Sequence, residues 1–129
     1  MKQYLVFLSI VLAFSSCFPD NYESKKIKSP TKNFEIQATV NKKDKNSDSY
    51  ADVILHLFRD DKKIDTLNTR AGDFSKWTIG WTEYGDTILL QSSDISNGAW
   101  LIENNQMKTI EMTDYLNDRA TQLKLMKYE

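Results

Sequence analysis

The chain has 129 residues and a formal net charge of -1, and hydrophobic residues make up 40% of it. This length fits one domain, and the hydrophobic content supports a modest core and argues against an acidic disordered chain. The near-neutral charge argues against a nucleic-acid-binding protein, which usually carries a basic patch and a high isoelectric point. A single cysteine excludes an internal disulfide framework.

The first residues have the pattern of an export signal. Lys2 precedes an apolar run from Tyr4 to Phe14, which is shorter than the roughly 20 residues of a membrane-spanning helix. The run fits the apolar region of a signal peptide, where about 7–15 residues suffice. Two small serines then lead into Cys17, the only cysteine of the chain. The sequence therefore predicts that residues 1–16 are a signal peptide.

The segment Ala13-Phe14-Ser15-Ser16-Cys17 resembles the lipobox of bacterial lipoproteins, with Phe14 where leucine is commonest. The resemblance implies that the Cys17 sulfur receives a diacylglyceryl group and that the chain is cut before this residue. It also implies that the new amine is acylated by a fatty acid such as palmitate. The protein would then be anchored in a membrane of the cell envelope, with the outer membrane as the expected location. The alternative is an ordinary secretory signal beside an incidental cysteine.

The segment after the signal peptide is rich in charge. Removal of Lys2 with the signal leaves 16 basic and 18 acidic residues, a net charge of -2, so lipid rather than surface charge would hold the protein to an anionic membrane. Residues 17–32 contain two prolines, four lysines and few apolar residues. This composition predicts a lipidated cysteine followed by a flexible tether. Residues 33–129 then form a single β-rich domain.

The domain begins with a pattern of alternating residues. Apolar residues occupy every second position of residues 34–40, which predicts a strand with one buried face. Residues 50–59 are apolar on both faces for most of their length, as in a central strand. Five shorter strands are expected between polar turns, over residues 64–67, 77–82, 87–91, 99–103 and 107–111.

The last residues have helical periodicity. Thr113 is the expected N-cap, and a stripe containing Leu116, Ala120 and Leu123 recurs at helical spacing. We expect this stripe to pack across one face of the sheet. The predicted fold class is mainly β: a small antiparallel meander sheet of about six or seven strands with a C-terminal helix packed on it.

The sequence contains no catalytic constellation. His56, the only histidine, lies between two leucines of a predicted strand, which favours a structural histidine over the base of a nucleophilic triad. One histidine and a lipidated cysteine cannot supply the usual ligand set of zinc. Residues 44–48 match the Asp-x-Asn-x-Asp opening of an EF-hand, but Ser49 and Leu55 replace the required glycine and glutamate. We therefore expect a protein that is not an enzyme and has no metal or cofactor.

The tryptophans pose the main question about a binding surface. The three residues are Trp77, Trp81 and Trp100. They could line a groove for a sugar or a peptide. The favoured interpretation is that they form part of the buried core, which a domain this small needs. Three loop carboxylates would form the polar rim of such a groove or are ordinary turn residues, namely Asp73, Asp86 and Asp94.

Together these patterns favour a non-catalytic binding or interaction module on the cell envelope. Its expected partners, besides the membrane, are an envelope protein or a glycan, and nucleic acid is not expected. One alternative is an immunity or inhibitor lipoprotein directed against a toxin. A second alternative is a small envelope hydrolase, which requires the three loop aspartates to converge in a pocket.

Overall fold

The computed structural model describes residues 21–45 and 51–128, with backbone alone at residue 21 and residues 42–45. The signal peptide, Cys17 and loop residues 46–50 lie outside the described residues, as do the side chains of residues 44–49 that were compared with an EF-hand. The described elements are β1 (Asn21–Glu23), β2 (Ile27–Lys28), β3 (Glu35–Lys45), β4 (Ala51–Arg59), β5 (Lys62–Gly72), β6 (Trp77–Trp81), β7 (Thr87–Ser92), β8 (Gly98–Glu103), β9 (Gln106–Ile110) and α1 (Asp114–Tyr128).

The strands form two antiparallel sheets. The first sheet has the order β1-β3-β4-β5, with β2 also paired to β3, and the second has the order β6-β7-β8-β9. The expected fold class is confirmed: the protein is mainly β, and each of the seven predicted strands is present. The strands divide into two sheets because β5 and β6 do not pair, although they are consecutive in the described chain.

Two hairpins are closed by short turns of matching chemistry. Asp60 and Asp61 connect β4 to β5, and Asn104 and Asn105 connect β8 to β9; all four residues have φ between 51° and 63°. Two successive positive φ values match the right-handed twist of the flanking strands. Asp and Asn tolerate this left-handed backbone better than other non-glycine residues because their short polar side chains bond locally.

The main core lies between the two sheets. Every second residue of β3 from Ile36 to Val40, and of β4, points into it, and it is continuous with the inward residues of β6, β7 and β8. Its largest fully buried side chains include Ile36, Leu55, Leu57, Ile88 and Leu90. The period-two pattern of the sequence therefore marks the faces by which the sheets pack together.

The helix covers the other face of the second sheet. The Thr113 hydroxyl accepts the backbone N–H of Leu116 at 3.2 Å, so Thr113 is the N-cap that the sequence predicts. Leu116 is buried with Leu89 and Ala99 in a second core, against which Leu123 packs in a partly buried position. The molecule thus has three layers: the first sheet, the second sheet and the helix.

The start of the domain requires a correction. The sequence predicts a flexible tether through residue 32, but residues 21–23 and 27–28 are strands of the first sheet. Tyr22 pairs with Val40 and Ile27 with Ile36, and the N–H of Ser24 donates to the Ala38 carbonyl at 2.9 Å. Backbone hydrogen bonds hold this edge, and they need no apolar side chains, so a lysine-rich segment forms strands that its hydropathy does not reveal.

Candidate functional site

The structure separates the three tryptophans. Trp77 and Trp100 are buried in the core between the sheets, and Trp81 is a partly buried residue that packs against the same core. The indole N–H of Trp77 donates to the Asp73 carboxylate at 2.9 Å. The favoured interpretation as core therefore holds for two of them, while Trp81 alone of the three also lines a surface groove.

The three loop aspartates have separate partners. Asp86 accepts the hydroxyl of Thr31 at 2.6 Å, whereas Asp94 accepts the backbone N–H of Gly72 at 2.9 Å. Asp86 precedes β7 and Asp94 follows it, so about 25 Å of extended strand separates them. The pocket required by a hydrolase based on all three carboxylates is therefore not formed, and these residues fasten loops to neighbouring segments.

An open groove lies along the free edge of the second sheet, and we call it the β6 groove. It has a volume of about 490 Å³ and is mostly apolar. Three segments that are distant in sequence form it: β2 with the turn after it, strand β6, and the last turns of α1. The lining residues are Ile27, Lys28, Pro30, Thr78, Ile79, Gly80, Trp81, Thr82, Leu123, Met126 and Lys127.

One side of the β6 backbone borders this groove. The N–H of Thr82 donates to Thr87 at 3.0 Å, and the carbonyl of Lys76 accepts from Ser93 at 3.0 Å, so even-numbered residues bond to β7. Backbone groups alternate in direction along an antiparallel strand. The N–H and carbonyl groups of Ile79 and Trp81 therefore point to the edge that faces the groove.

The helix closes one end of this edge. The Tyr128 hydroxyl donates to the Trp77 carbonyl at 2.8 Å and accepts the Trp77 N–H at 3.1 Å. Lys127 donates to the same carbonyl at 2.6 Å, and its ammonium lies 4.1 Å from the centre of the Trp77 ring. At the other end, the Trp81 indole donates to the Ile27 carbonyl at 2.9 Å. Between these two ends, the stretch from Thr78 to Trp81 lines the groove, and Thr78 and Ile79 are themselves largely buried by the surrounding segments.

Close packing of the helix on β6 depends on Gly80. A Cβ atom at Gly80 would lie 2.7 Å and 2.8 Å from the two methyl carbons of Leu123, which is closer than carbon atoms approach in proteins. Because Gly80 has no side chain, the Leu123 side chain packs directly on the backbone of the strand. This contact forms the floor of the β6 groove on the helix side.

No known protein family, curated protein or solved structure matches this chain. Within the described residues, no helix has the length and apolar character needed to cross a bilayer. Over those same residues, no group of three or more histidine, cysteine, aspartate or glutamate side chains is arranged to hold a metal ion.

His56 lies on the outer face of the first sheet, away from the β6 groove. Its Nε2 atom is 2.7 Å from the Thr39 hydroxyl, and its Nδ1 atom is 3.5 Å from the Thr66 hydroxyl. Burial lowers the pKa of His56 below 6.5, and the nearby charge of Lys63 lowers it further, against a smaller opposing effect of Glu23. The neutral ring thus connects β3, β4 and β5.

Sequence reasoning identified one member of the groove, Trp81, and missed most of the others. Ile27 and Pro30 lie in the segment expected to be a tether, and Met126 is not part of the helical stripe that the sequence indicates. Met126 is 82% exposed, which is unusual for a large apolar side chain at a groove. Ile27 is the one apolar residue among the lysines of this segment, but it is 36% exposed, and a single apolar residue does not by itself indicate packing.

Proposed function

We propose that this protein is a non-catalytic binding module, held on a membrane of the cell envelope by lipid on Cys17, and that its β6 groove binds an extended peptide segment of a partner protein. The observation that carries the proposal is the outer edge of β6, the end strand of the second sheet, along an open apolar groove. The lipid anchor is supported by the lipobox resemblance at the N-terminus, and the outer membrane remains its expected location.

The shape of the groove supports an extended peptide. An exposed strand edge binds a peptide by adding it as a further strand, with main-chain hydrogen bonds for affinity and pockets for alternate side chains for specificity. The edge from Thr78 to Trp81 that lines the groove corresponds in length to about four residues of a strand, roughly 13 Å. A volume of about 490 Å³ suits a few side chains, in the range of known small-ligand sites.

The lining of the groove selects the kind of peptide. Leu123, Met126 and the Trp81 ring offer apolar contacts on both sides of the edge. The two charged residues of the lining, Lys28 and Lys127, are both cationic. Complementary charge favours an acidic partner and guides its approach. We therefore expect a peptide with alternating apolar residues and at least one carboxylate, and this chemistry fits a protein partner better than a neutral glycan.

The groove is tested with phage-displayed random peptides panned over the mature domain. Enriched peptides should show apolar residues at alternate positions and an excess of acidic residues. Met126→Glu should weaken their binding at least tenfold, because it places a negative charge among the apolar contacts of an acidic peptide. The matched control is Leu125→Glu, a change at the neighbouring exposed helix position that does not line the groove.

Strand addition has its own signature in amide hydrogen exchange. The amides of Ile79 and Trp81 should become protected when an enriched peptide binds, while those of Thr78 and Gly80 already bond to β7 and should change little. Equal binding by the Met126→Glu and Leu125→Glu variants would contradict the proposed site. An enriched peptide that leaves both edge amides unprotected would contradict strand addition.

The anchor is tested separately. Cells fed an alkyne-bearing fatty acid should label the native chain, and the chain should fractionate with membranes. Cys17→Ser should abolish both the label and the membrane recovery. Unchanged label and recovery in that variant would refute the anchor without affecting the peptide-binding result.

A further inference from the structure

We infer that one end of the domain rests on the lipid surface, and that Phe74 and Ile95 insert among the headgroups there. We call it the loop end; it consists of the β5–β6 loop, residues 73–76, and the β7–β8 loop, residues 93–97. The inference rests on the proposed anchor at Cys17 and adds to it the orientation of the domain on the membrane.

The length of chain between the anchor and the fold supports this position. Three residues, 18–20, separate Cys17 from the first residue of β1. Four residue-to-residue steps span at most about 14 Å even when fully extended. Since Asn21 is already paired with Asn41, the start of β1 has to stay this close to the lipid.

Contacts show which loops lie beside the start of β1. The Tyr22 ring meets the Trp77 ring edge-to-face, with centroids 5.8 Å apart. Trp77 is the first residue of β6, and its indole bonds to Asp73 in the β5–β6 loop. The carbonyl of Lys76 accepts the N–H of Ser93, which opens the β7–β8 loop. Both loops therefore lie at the end of the molecule where the chain leaves toward Cys17.

The two loops are joined to each other. Gly72 donates its N–H to the Asp94 carboxylate at 2.9 Å, and Asp94 in turn donates its N–H to the Ser92 hydroxyl at 3.1 Å. The first bond fastens the β7–β8 loop to the end of β5, and the bond from the Ser93 N–H to the Lys76 carbonyl joins the bases of the two loops. The Asp73 carboxylate accepts the Trp77 indole N–H. The two loops of the loop end are thus connected to each other at their bases.

The exposed residues of the loop end suit a bilayer interface. Phe74 is 60% exposed and Ile95 is 44% exposed, although each lies in a short polar loop. Lys76 is exposed between them along the chain, and its ammonium lies 5.2 Å from the centre of the Tyr128 ring. Apolar and aromatic side chains bind at the headgroup boundary, and lysine is attracted to anionic headgroups. This combination is what an interfacial contact requires.

The opposite end offers a matched control. Tyr84, in the β6–β7 turn, is 80% exposed, and it has Glu83 and Asp86 beside it in the sequence. It lies at the far end of β6 from Lys76. A large aromatic side chain is therefore present at both ends of the same strand, but only the loop end is next to the anchored segment.

The experiment uses the full lipidated protein in vesicles of phosphatidylethanolamine and phosphatidylglycerol. In the lipidated chain the Cys17 sulfur is a thioether, so Phe74→Cys, Ile95→Cys and Tyr84→Cys each introduce the single reactive thiol for an environment-sensitive fluorophore. Labels at positions 74 and 95 should shift to shorter emission wavelengths and be quenched several-fold more by headgroup-region spin-labelled lipid than the label at position 84.

Equal quenching at all three positions in vesicle-bound, lipidated protein would overturn the proposed orientation and leave the anchor standing. Mass spectrometry of the N-terminus distinguishes this result from failure of the anchor, since an unlipidated Cys17 removes both proposals. A measurement without substitution provides a second check: amide exchange at Phe74 and Ile95 should slow in vesicles compared with detergent. Unchanged exchange at both amides would also overturn the orientation.

Discussion

Truncation of one helix residue tests whether α1 belongs to the core. Leu116 is 7% exposed and packs against Leu89 and Ala99, whereas Leu125 of the same helix is 46% exposed. Leu116→Ala should lower the free energy of unfolding by about 2–4 kcal/mol, as buried leucine truncations do. Leu125→Ala should change it by about 0.5 kcal/mol or less. Helix propensity cancels in the comparison, because both variants make the same substitution in one helix.

Urea unfolding followed by tryptophan fluorescence measures both variants. The midpoint should fall for Leu116→Ala at an unchanged slope, since the slope reports the surface exposed on unfolding. In a thermal scan the same loss should lower the melting temperature by on the order of 10 °C for a domain of this size. Similar small losses in the two variants would refute the packing of the helix against β7 and β8.

Three further outcomes follow from the structure. Gly80→Ala should destabilise the protein by about 1–3 kcal/mol through overpacking, and by clearly less in a Leu123→Ala background, so additive losses in a urea double-mutant cycle would contradict the contact. A chain starting at Asn33, without β1 and β2, should unfold at lower urea than one starting at residue 18, and equal midpoints would support a tether after all. Because the folded-state pKa of His56 is lowered, its contribution to stability should be complete above pH about 6.5 and be lost as pH falls from there through that lower pKa. NMR titration of this single histidine should give a midpoint below 6.5 that rises in Lys63→Met, and an unperturbed midpoint would refute the burial argument.

Local patterns in the sequence predicted most of the fold. The alternation before Val40 and the continuous apolar run of β4 each mark a strand. A strand buried on one face alternates apolar and polar residues, whereas a strand buried on both faces is apolar throughout. Thr113 marks the start of the helix, since its hydroxyl satisfies a backbone N–H that has no partner in the first turn. These features depend on neighbours in sequence, so they can be read before the structure is known.

Features that depend on long-range pairing could not be predicted in this way. The sequence pattern of β5 and β6 is that of any two consecutive strands, and nothing local indicates that they belong to different sheets. The short strands β1 and β2 pair with β3 through their backbone, whereas the lysine-rich side chains of this segment suggested a tether. The β6 groove combines residues near Ile27, Gly80 and Leu123, which are about 40 to 50 positions apart. A site of this kind has no local motif.

The pairing of β1 with β3 also determines how far the domain can travel if it is held by lipid at Cys17. A tether to residue 32 would have had a maximum extended length of about 55 Å, whereas the three residues before Asn21 allow about 14 Å. The volume in which the start of the domain can move around the anchor is smaller by a factor of about sixty, because this volume scales with the cube of the tether length. A domain of this length is about 35 Å across. The domain would thus stay at the membrane surface. It could bind only partners whose peptide comes within about one domain diameter of the lipid.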